Sequence, residues 1–426
     1  MEVSDLEALL GPRGADLLAE LAGPESYRED AALALATRLR SRYPAALVSA
    51  ALTQRRLRGR AEAKFGRAAG SMFFTAAGLE QSTRVAVAEL RARRYAQAGI
   101  RRVADLCCGI GGDALAFAAA GIEVVAVDQD PVTCAIAAAN ARAAGLGQLI
   151  HVRCDDVRKS LSDFAGNGIA VADCDAVFLD PARRTARGRV FDPNSYSPPW
   201  DFALSLVERF AAVGVKAAPG LPHEVIPRAA EAEWVSDAGE VKEAALYLGT
   251  LASHGIDHAA RQDSGALPSA RRATLLPGPH SLVAEGVDDP EPRPVGRYLY
   301  EPDGAVIRAR LIGELAQSLD AATIDRTIAY LTSDQLSATP FATAYEVTDV
   351  LPFTVKRLRL LLAERGIRSI TVKKRGADID PAALRKQLLP GGRAARDAGG
   401  GSAIVIVTRV LGSHSALIAR PAMLEH

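Results

Sequence analysis

Between Val103 and Leu179, short apolar runs alternate with helix-length stretches, and this alternation restricts what the middle of the chain can become. Val103–Leu106, Val124–Val127, Ile150–Val152 and Ala176–Leu179 have the length and composition of buried strands. The spacing predicts an alanine-rich helix from Asp113 to Ala120 and a second helix from Pro131 to Ala144. Strands joined by helices run parallel, and a parallel sheet must be covered on both faces. The expected fold is therefore a doubly wound α/β domain, extended by further strands at Val213–Ala217, Ala244–Leu248 and Ala273–Leu276.

Chemistry gathers where the first strands end. Asp105-Leu-Cys-Cys-Gly109-Ile-Gly111-Gly112-Asp113 runs from the end of a strand into a helix. Glycine is needed where a ligand must approach the backbone without meeting a Cβ, and the free N–H groups of a helix start favour negative groups. A G-x-G-G turn alone is a weak signal. It gains weight from Asp128, which closes the next strand in Val124-Val-Ala-Val-Asp128-Gln129-Asp130-Pro131. An acidic residue about twenty positions further on is where such a fold holds ribose hydroxyls. The glycine order does not match the pyrophosphate turn of a nicotinamide site, which leaves an adenosyl amino acid as the expected ligand.

The rest of the chain frames this domain. Leu6, Leu9, Leu10, Leu17, Leu18 and Leu21 recur at helical intervals, Gly23-Pro24 breaks the pattern, and Tyr27–Leu39 resumes it. Arg55 to Arg67 is basic, and a helix is expected from about Gln81 to Tyr95. Asp288-Asp-Pro-Glu-Pro-Arg-Pro294 reads as a linker, because three prolines interrupt regular structure. Beyond it lie a small α+β segment from Tyr298 to about Leu351 and a second with strand Ile370–Val372, helix Pro381–Leu388 and strand Ala403–Val410; Arg393–Gly401 is a glycine-rich loop. The overall net charge of +1 hides an uneven distribution: from Lys356 to Arg409 thirteen lysines and arginines face four carboxylates, an excess of about nine. Such an excess attracts phosphate backbones, whereas 5% aromatic residues argue against a broad stacking platform. The five cysteines form no C-x-x-C pair, the N-terminus lacks the regions of a signal peptide, and no apolar run spans a bilayer, so the expectation is a chain of the reducing cytoplasm with no metal site and no membrane association.

From roughly Ala76 to Ala284 the motifs resemble class I S-adenosylmethionine-dependent methyltransferases, whose fold is a Rossmann-like doubly wound sheet. The resemblance implies that Asp105, Gly109 and Gly111 meet the amino-acid end of S-adenosyl-L-methionine, with Cys107 and Gly112 in the same turn. It implies Asp128, beside Gln129, at the ribose, and Asp156 or its neighbour Asp155 at the adenine. Cys107 stands where glycine is commoner. Phe73-Phe-Thr75 through Thr83 is similar to the segment that closes over the methionine and would add Thr75; read by itself, the stretch is a helix entry capped by Thr75 or Ser82.

Asp175-Ala-Val-Phe-Leu-Asp180-Pro181-Ala-Arg183-Arg184 resembles the [D/N]-P-P-[Y/F/W] acceptor loop of amino-group methyltransferases, including the trimethylguanosine synthase group. This implies catalytic roles for Asp180, Pro181 and Arg183. Ala182 and Arg183 replace the second proline and the aromatic, and Phe191, Tyr196 or Trp200 could supply a stacking face or simply pack on the sheet. With Tyr298-Leu-Tyr-Glu-Pro302 and the basic C-terminal stretch, roughly Phe353 to Pro421, the chain looks like bacterial methyltransferases with a THUMP-like C-terminal domain. THUMP domains bind RNA, so helix Val355–Leu362 and the Lys373-Lys374-Arg375 edge are expected to face phosphates. The implied organisation is a helical region (1–75), a methyltransferase domain (76–287), a small ferredoxin-like α+β segment (295–350) and a THUMP-like domain (351–426). The implied activity is methylation of a base nitrogen in structured RNA, tRNA or rRNA. A non-catalytic RNA-binding protein, or a methyltransferase of small molecules or proteins, is the alternative.

Overall fold

The computed structural model describes residues 2–22, 29–161, 169–183, 196–252, 270–389 and 401–422, with the side chains of 29–32 and 183 outside that set. The glycine-rich loop Arg393–Gly401, Arg184 and Phe191 therefore lie wholly or mostly outside the described residues. Two compact units emerge, Met1–Ala232 with Glu243–Ser269, and Glu233–Lys242 with Ala270–His426.

The first unit opens with helices α1 (Val3–Leu10), α2 (Pro12–Glu20), α3 (Glu29–Arg40) and α4 (Ala45–Phe65). The leucine pattern expected to run on to Leu21 is cut at Gly11-Pro12, because Pro12 starts α2 where its missing N–H costs nothing. Gly14 then lies so close to α1 that a Cβ would stand 2.3 Å from the Ala8 carbonyl. Leu6, Leu9, Leu17, Val48 and Phe65 pack with Phe74, Ile110 and Ile136, so the helical region shares one core with the glycine turn. Short α5 (Ala76–Gln81) and α6 (Val85–Gln97) replace the single helix expected from Gln81 to Tyr95. Between them Ser82 and Arg84 are extended, Lys64 Nζ donates to the Leu79, Glu80 and Ser82 carbonyls at the end of α5, and the Thr83 hydroxyl donates to Asp113 at 2.7 Å.

Strands and helices then alternate as β1 (Arg102–Leu106), α7 (Gly112–Ala119), β2 (Glu123–Asp128), α8 (Pro131–Ala143), β3 (Ile150–Cys154), α9 (Val157–Ser160) and β4 (Ala176–Leu179). A small ribbon, β5 (Ala182–Arg183) with β6 (Tyr196–Ser197), and α10 (Trp200–Ser205) precede β7 (Ala212–Ala217). β8 (Glu231–Asp237) and β9 (Glu240–Gly249) contain the boundaries between the units. The sheet of the first unit runs β9-β7-β4-β1-β2-β3, parallel except for β9 against β7. Chain order reverses on either side of β1, between β2 and β4, and a doubly wound sheet binds its ligand beyond the carboxyl ends of the strands at such a point. Asp105 and Asp180 are placed there.

The second unit holds β10 (Ala270–Leu276), β11 (His280–Val283), β12 (Tyr298–Pro302), α11 (Gly304–Arg308), α12 (Ile312–Leu319), β13 (Ala322–Asp325), β14 (Ile328–Ser333) and β15 (Ala342–Pro352). It continues through α13 (Val355–Glu364), β16 (Ile367–Lys374), α14 (Pro381–Leu388), β17 (Gly401–Val410) and β18 (Ser413–Pro421). One seven-stranded sheet, β13-β14-β12-β15-β18-β17-β16, carries both segments that the sequence separates. Alternation along β17 divides its side chains: Val405 and Val407 pack with Leu358, Leu362, Leu384 and Leu388 of α13 and α14, while Ile406 joins Leu299, Tyr330 and Tyr345. The proline-rich stretch read as a linker lies inside this unit. It is tied down by Arg293 N–H donating to the Thr323 carbonyl at 2.9 Å and the Thr323 hydroxyl donating to the Pro290 carbonyl at 3.0 Å. Proline removes a donor but keeps its carbonyl, so the segment can still be bonded into place. Among the described residues no helix is long and apolar enough to cross a membrane.

Candidate active site

The turn after β1 is built from three left-handed residues in alternate positions: Cys107 (φ +63°), Gly109 (φ +56°) and Gly111 (φ +86°). The Cys108 N–H donates to the Val127 carbonyl at 3.0 Å and the Gly109 N–H to Asp128 Oδ2 at 3.0 Å. Asp128 Oδ1 accepts from the Asp130 N–H at 3.0 Å, so this carboxylate is oriented from both sides while staying partly exposed. The cysteine where glycine is commoner occupies a position whose backbone prefers glycine. Burial, followed by the charges of Asp128 and Asp180, pushes its thiol well above the usual range and keeps it a neutral packing group.

Asp105 is 1% exposed, and neither of its oxygens has a hydrogen-bond partner among the described residues. Burial first, then the neighbouring Asp113 and Asp180, raises its pKa well above the carboxylate range. A buried carboxylate without a partner is costly, and costly groups that persist cluster at ligand sites. It suits a cation and repels an anion. The α-ammonium of an adenosyl amino acid fits this environment; a pyrophosphate does not.

The neighbouring charges are paired. Asp113, in the first turn of α7, accepts from Thr83 and is paired with Arg91, whose other nitrogen is paired with Glu243. Arg91 is fully buried and lies over the Phe178 ring at 4.3 Å. Sequence reading passed over Arg91, Glu243 and Lys216, because none lies in a motif: Arg91 and Glu243 stand among other charged residues, and Lys216 in an apolar run. Only a charge inside an apolar helix face or strand could have flagged them. Lys216 Nζ donates to Asp180 Oδ2 at 2.7 Å and to the Thr83 hydroxyl at 2.9 Å.

The remaining expected residues divide into placed and diverted. Asp180 follows β4, its N–H donating to the Leu106 carbonyl at 3.1 Å, which sets it directly beside the turn; Pro181 is buried behind it. The Arg183 backbone pairs with Tyr196 in the small ribbon. Tyr196 and Trp200 are 2% and 3% exposed with ring centroids 5.7 Å apart, so both pack in the core and neither offers a stacking face. Thr75 caps α5, accepting from the Gly78 N–H at 2.9 Å. The same segment is anchored by Asn140, which accepts from the Phe73 N–H at 2.7 Å and donates to the Phe73 and Ile110 carbonyls. Gln129 is exposed beside Asp128. Gly112 opens α7. Asp156 caps α9, and its carboxylate accepts from the Arg158 backbone and guanidinium, which hold its pKa down at about 2. Asp155 accepts from the Ser160 hydroxyl at 2.8 Å. Tyr298 and Tyr300 are buried in the second unit, where the Tyr300 hydroxyl donates to the Gln335 carbonyl.

The chain is similar to known methyltransferases. Residues 100–183 match the family model described as RNA cap guanine-N2 methyltransferase, residues 342–421 match that described as THUMP domain-like, and residues 2–61 match a domain of unknown function. An uncharacterized S-adenosylmethionine-dependent methyltransferase of Mycobacterium tuberculosis, found in strains CDC 1551 / Oshkosh and ATCC 25618 / H37Rv, is 32% identical over 379 residues, covering 86% of this chain and 95% of the relative. The crystal structure of a provisionally assigned methyltransferase from Porphyromonas gingivalis W83 shares the fold, with a TM-score of 0.68 at 19% identity over 94% of this chain and 100% of that one. The chain belongs to the S-adenosylmethionine-dependent methyltransferases.

Proposed function

We propose that this methyltransferase modifies a base nitrogen of a structured RNA, tRNA or rRNA, with Asp180 receiving the acceptor amine. Asp105, Gly109 and Gly111 would hold the amino-acid end of S-adenosylmethionine and Asp128 its ribose; the cofactor supplies a methyl group already activated on a sulfonium. What the chain must add is alignment, which can contribute about 7–11 kcal/mol to a reaction of this kind. The observation that carries the reading is the placement of Asp180. It adjoins the glycine turn, one carboxylate oxygen is fixed by Lys216, and no described group donates to the other. That oxygen can accept a hydrogen bond from an amino N–H and turn the nitrogen lone pair toward the methyl group.

Support for RNA comes from α13 in the region matched to the THUMP domain-like family. Leu358 and Leu362 are buried, while the side chains of Lys356, Arg357 and Arg359 are exposed with no hydrogen-bond or ion-pair partner among the described residues. A small-molecule or protein acceptor is the second reading, favoured by the burial of Tyr196 and Trp200. Mass spectrometry of nucleosides from a strain lacking the gene separates the two. The proposal expects the loss of one methylated nucleoside, and an unchanged profile rules it out. Asp180→Ala should leave the affinity for S-adenosylhomocysteine within about twofold and lower methyl transfer by roughly 10²-fold or more.

A further inference from the structure

A lysine near the end of an internal strand is an expensive choice, and Lys216 is one. Its strand neighbours Val213, Val215 and Ala217 are buried, and β7 lies between β4 and β9. Removing an ammonium from water costs several kcal/mol unless it is paired and hydrogen-bonded. Here burial would depress its pKa, yet Asp180, Glu243 and Asp113 outweigh that and hold it above the ordinary lysine value.

The direction of the pairing is the informative part. Arg91 is already committed to Asp113 and Glu243. Thr83 donates its proton to Asp113 Oδ2 and so can only accept from Lys216. With Thr83 fixing one N–H, the charge of Lys216 is directed at Asp180 Oδ2, 2.7 Å away. No step of cofactor binding uses this ammonium. It meets Asp180, which shares the end of the sheet with Asp105, Asp113 and Asp128, so a cation aimed at Asp180 offsets the like charge around it and fixes one of its oxygens.

We propose that Lys216 is the positioning residue of the methyl-transfer step: it holds one oxygen of Asp180 and leaves the other for the acceptor. This rests on the Asp180 reading above. Lys216 acts through Asp180 and touches neither methyl group nor acceptor.

The test uses full-length protein and tritiated S-adenosylmethionine with a lysate of a strain lacking the gene, fractionated into RNA, protein and small molecules. Whichever fraction the wild type labels becomes the substrate. Label in protein or small molecules overturns the RNA reading while leaving Lys216 open to measurement on that fraction. Lys216→Met should lower kcat roughly 10²-fold, the scale expected for a misplaced reacting group. Its affinity for S-adenosylhomocysteine should stay within about threefold. The acid limb of its kcat–pH profile should move toward neutral pH, and Lys216→Arg should recover at least a tenth of the wild-type rate. Lys216→Gln retains a donor without the charge and serves if the methionine variant does not fold; its acid limb should move in the same direction. The double variant Asp180→Asn, Lys216→Met should be no slower than Asp180→Asn alone. The inference fails if the acid limbs superimpose, if the two substitutions multiply, or if cofactor affinity falls in step with kcat.

Discussion

At the carboxyl end of β1 a carboxylate is buried with no hydrogen-bond partner among the described residues, whereas on β16 a lysine from the most basic stretch of the chain is spent on a carboxylate of its own sheet. Lys373 Nζ donates to Glu301 Oε2 at 2.5 Å, the Tyr345 hydroxyl donates to the same oxygen at 2.7 Å, and Lys373 lies 5.3 Å from the Tyr345 ring. Lys374 donates to the Ile379 carbonyl at 2.6 Å, and Arg375 lies over the Tyr330 ring at 5.1 Å. The edge expected to face phosphates therefore serves its own unit. The contrast shows why counting charges is a poor guide to binding. What marks a ligand site is a charge whose own fold leaves it unsatisfied, and Asp105 meets that condition where Lys373 does not.

The sharpest way to break the comparison is Asp105→Asn. If Asp105 awaits a cation, the substitution should weaken S-adenosylmethionine binding by about 2–3 kcal/mol, roughly 30- to 150-fold, in calorimetry. It should also stabilise the cofactor-free protein. The sign follows from linkage: the folded pKa of Asp105 is raised above its unfolded value. The folded state therefore binds the extra proton, and stability contributed at low pH is lost as pH rises from about 4 through the folded pKa. The asparagine variant should lose that decline, so its melting temperature should exceed the wild type's by more at pH 7 than at pH 4. Unchanged affinity would remove Asp105 from the cofactor site.

The basic region offers a paired test of intermediate size. Replacing Lys356, Arg357 and Arg359 by alanine should lower RNA affinity and flatten its salt dependence by about two counterions, at roughly 0.7–0.9 per lost contact. Replacing Lys373, Lys374 and Arg375 should instead cost about 1–2 kcal/mol of stability and leave the salt slope unchanged, because these side chains hold Glu301, the Ile379 carbonyl and Tyr330. Filter-binding titrations of structured RNA at several salt concentrations, with thermal unfolding alongside, give both readouts. A flatter slope in the second variant would return the phosphate contacts to the β16 edge.

Much of the first unit was legible because local chemistry and global fold agree there. The strands from Val103 to Leu179 are short apolar runs that end in glycine or aspartate, and no other pairing of such runs covers both faces. The positions of Asp105, Asp128 and Asp180 follow the same logic, since they lie near, at and just beyond the ends of β1, β2 and β4. What was not legible depended on distant partners. Nothing near Thr83 says that its hydroxyl will meet Asp113, and nothing near Lys216 says that it will meet Asp180 from a strand 36 residues further on. Asp155 and Asp156 lie just beyond β3, and the sequence does not reveal that Arg158, two positions after Asp156, binds its carboxylate. Tyr196 and Trp200 likewise meet distant partners that their own loop does not reveal: the Ala218 N–H donates to the Tyr196 hydroxyl, and Trp200 Nε1 donates to the Val225 carbonyl.

The smallest expected effect tests whether the turn is built for the ligand or only tolerates it. Cys107 holds φ at +63° although it has a side chain, which costs about 1–2 kcal/mol relative to a right-handed conformation. Cys107→Gly removes that strain but gives the unfolded chain more freedom, an offset of about 0.5–1 kcal/mol. The net change should be a stabilisation of at most about 1.5 kcal/mol, read as a rise of a few degrees in melting temperature. Because the thiol is a neutral packing group and the backbone already adopts the glycine conformation, affinity for S-adenosylhomocysteine should stay within about twofold. If instead affinity falls severalfold while stability rises as expected, the Cys107 side chain contacts the cofactor, and the cysteine is a specific feature of this site and not a tolerated replacement for glycine. If stability falls, the thiol's packing beside Asp105 outweighs the backbone strain, and the turn is held by its side chains more than by its left-handed positions.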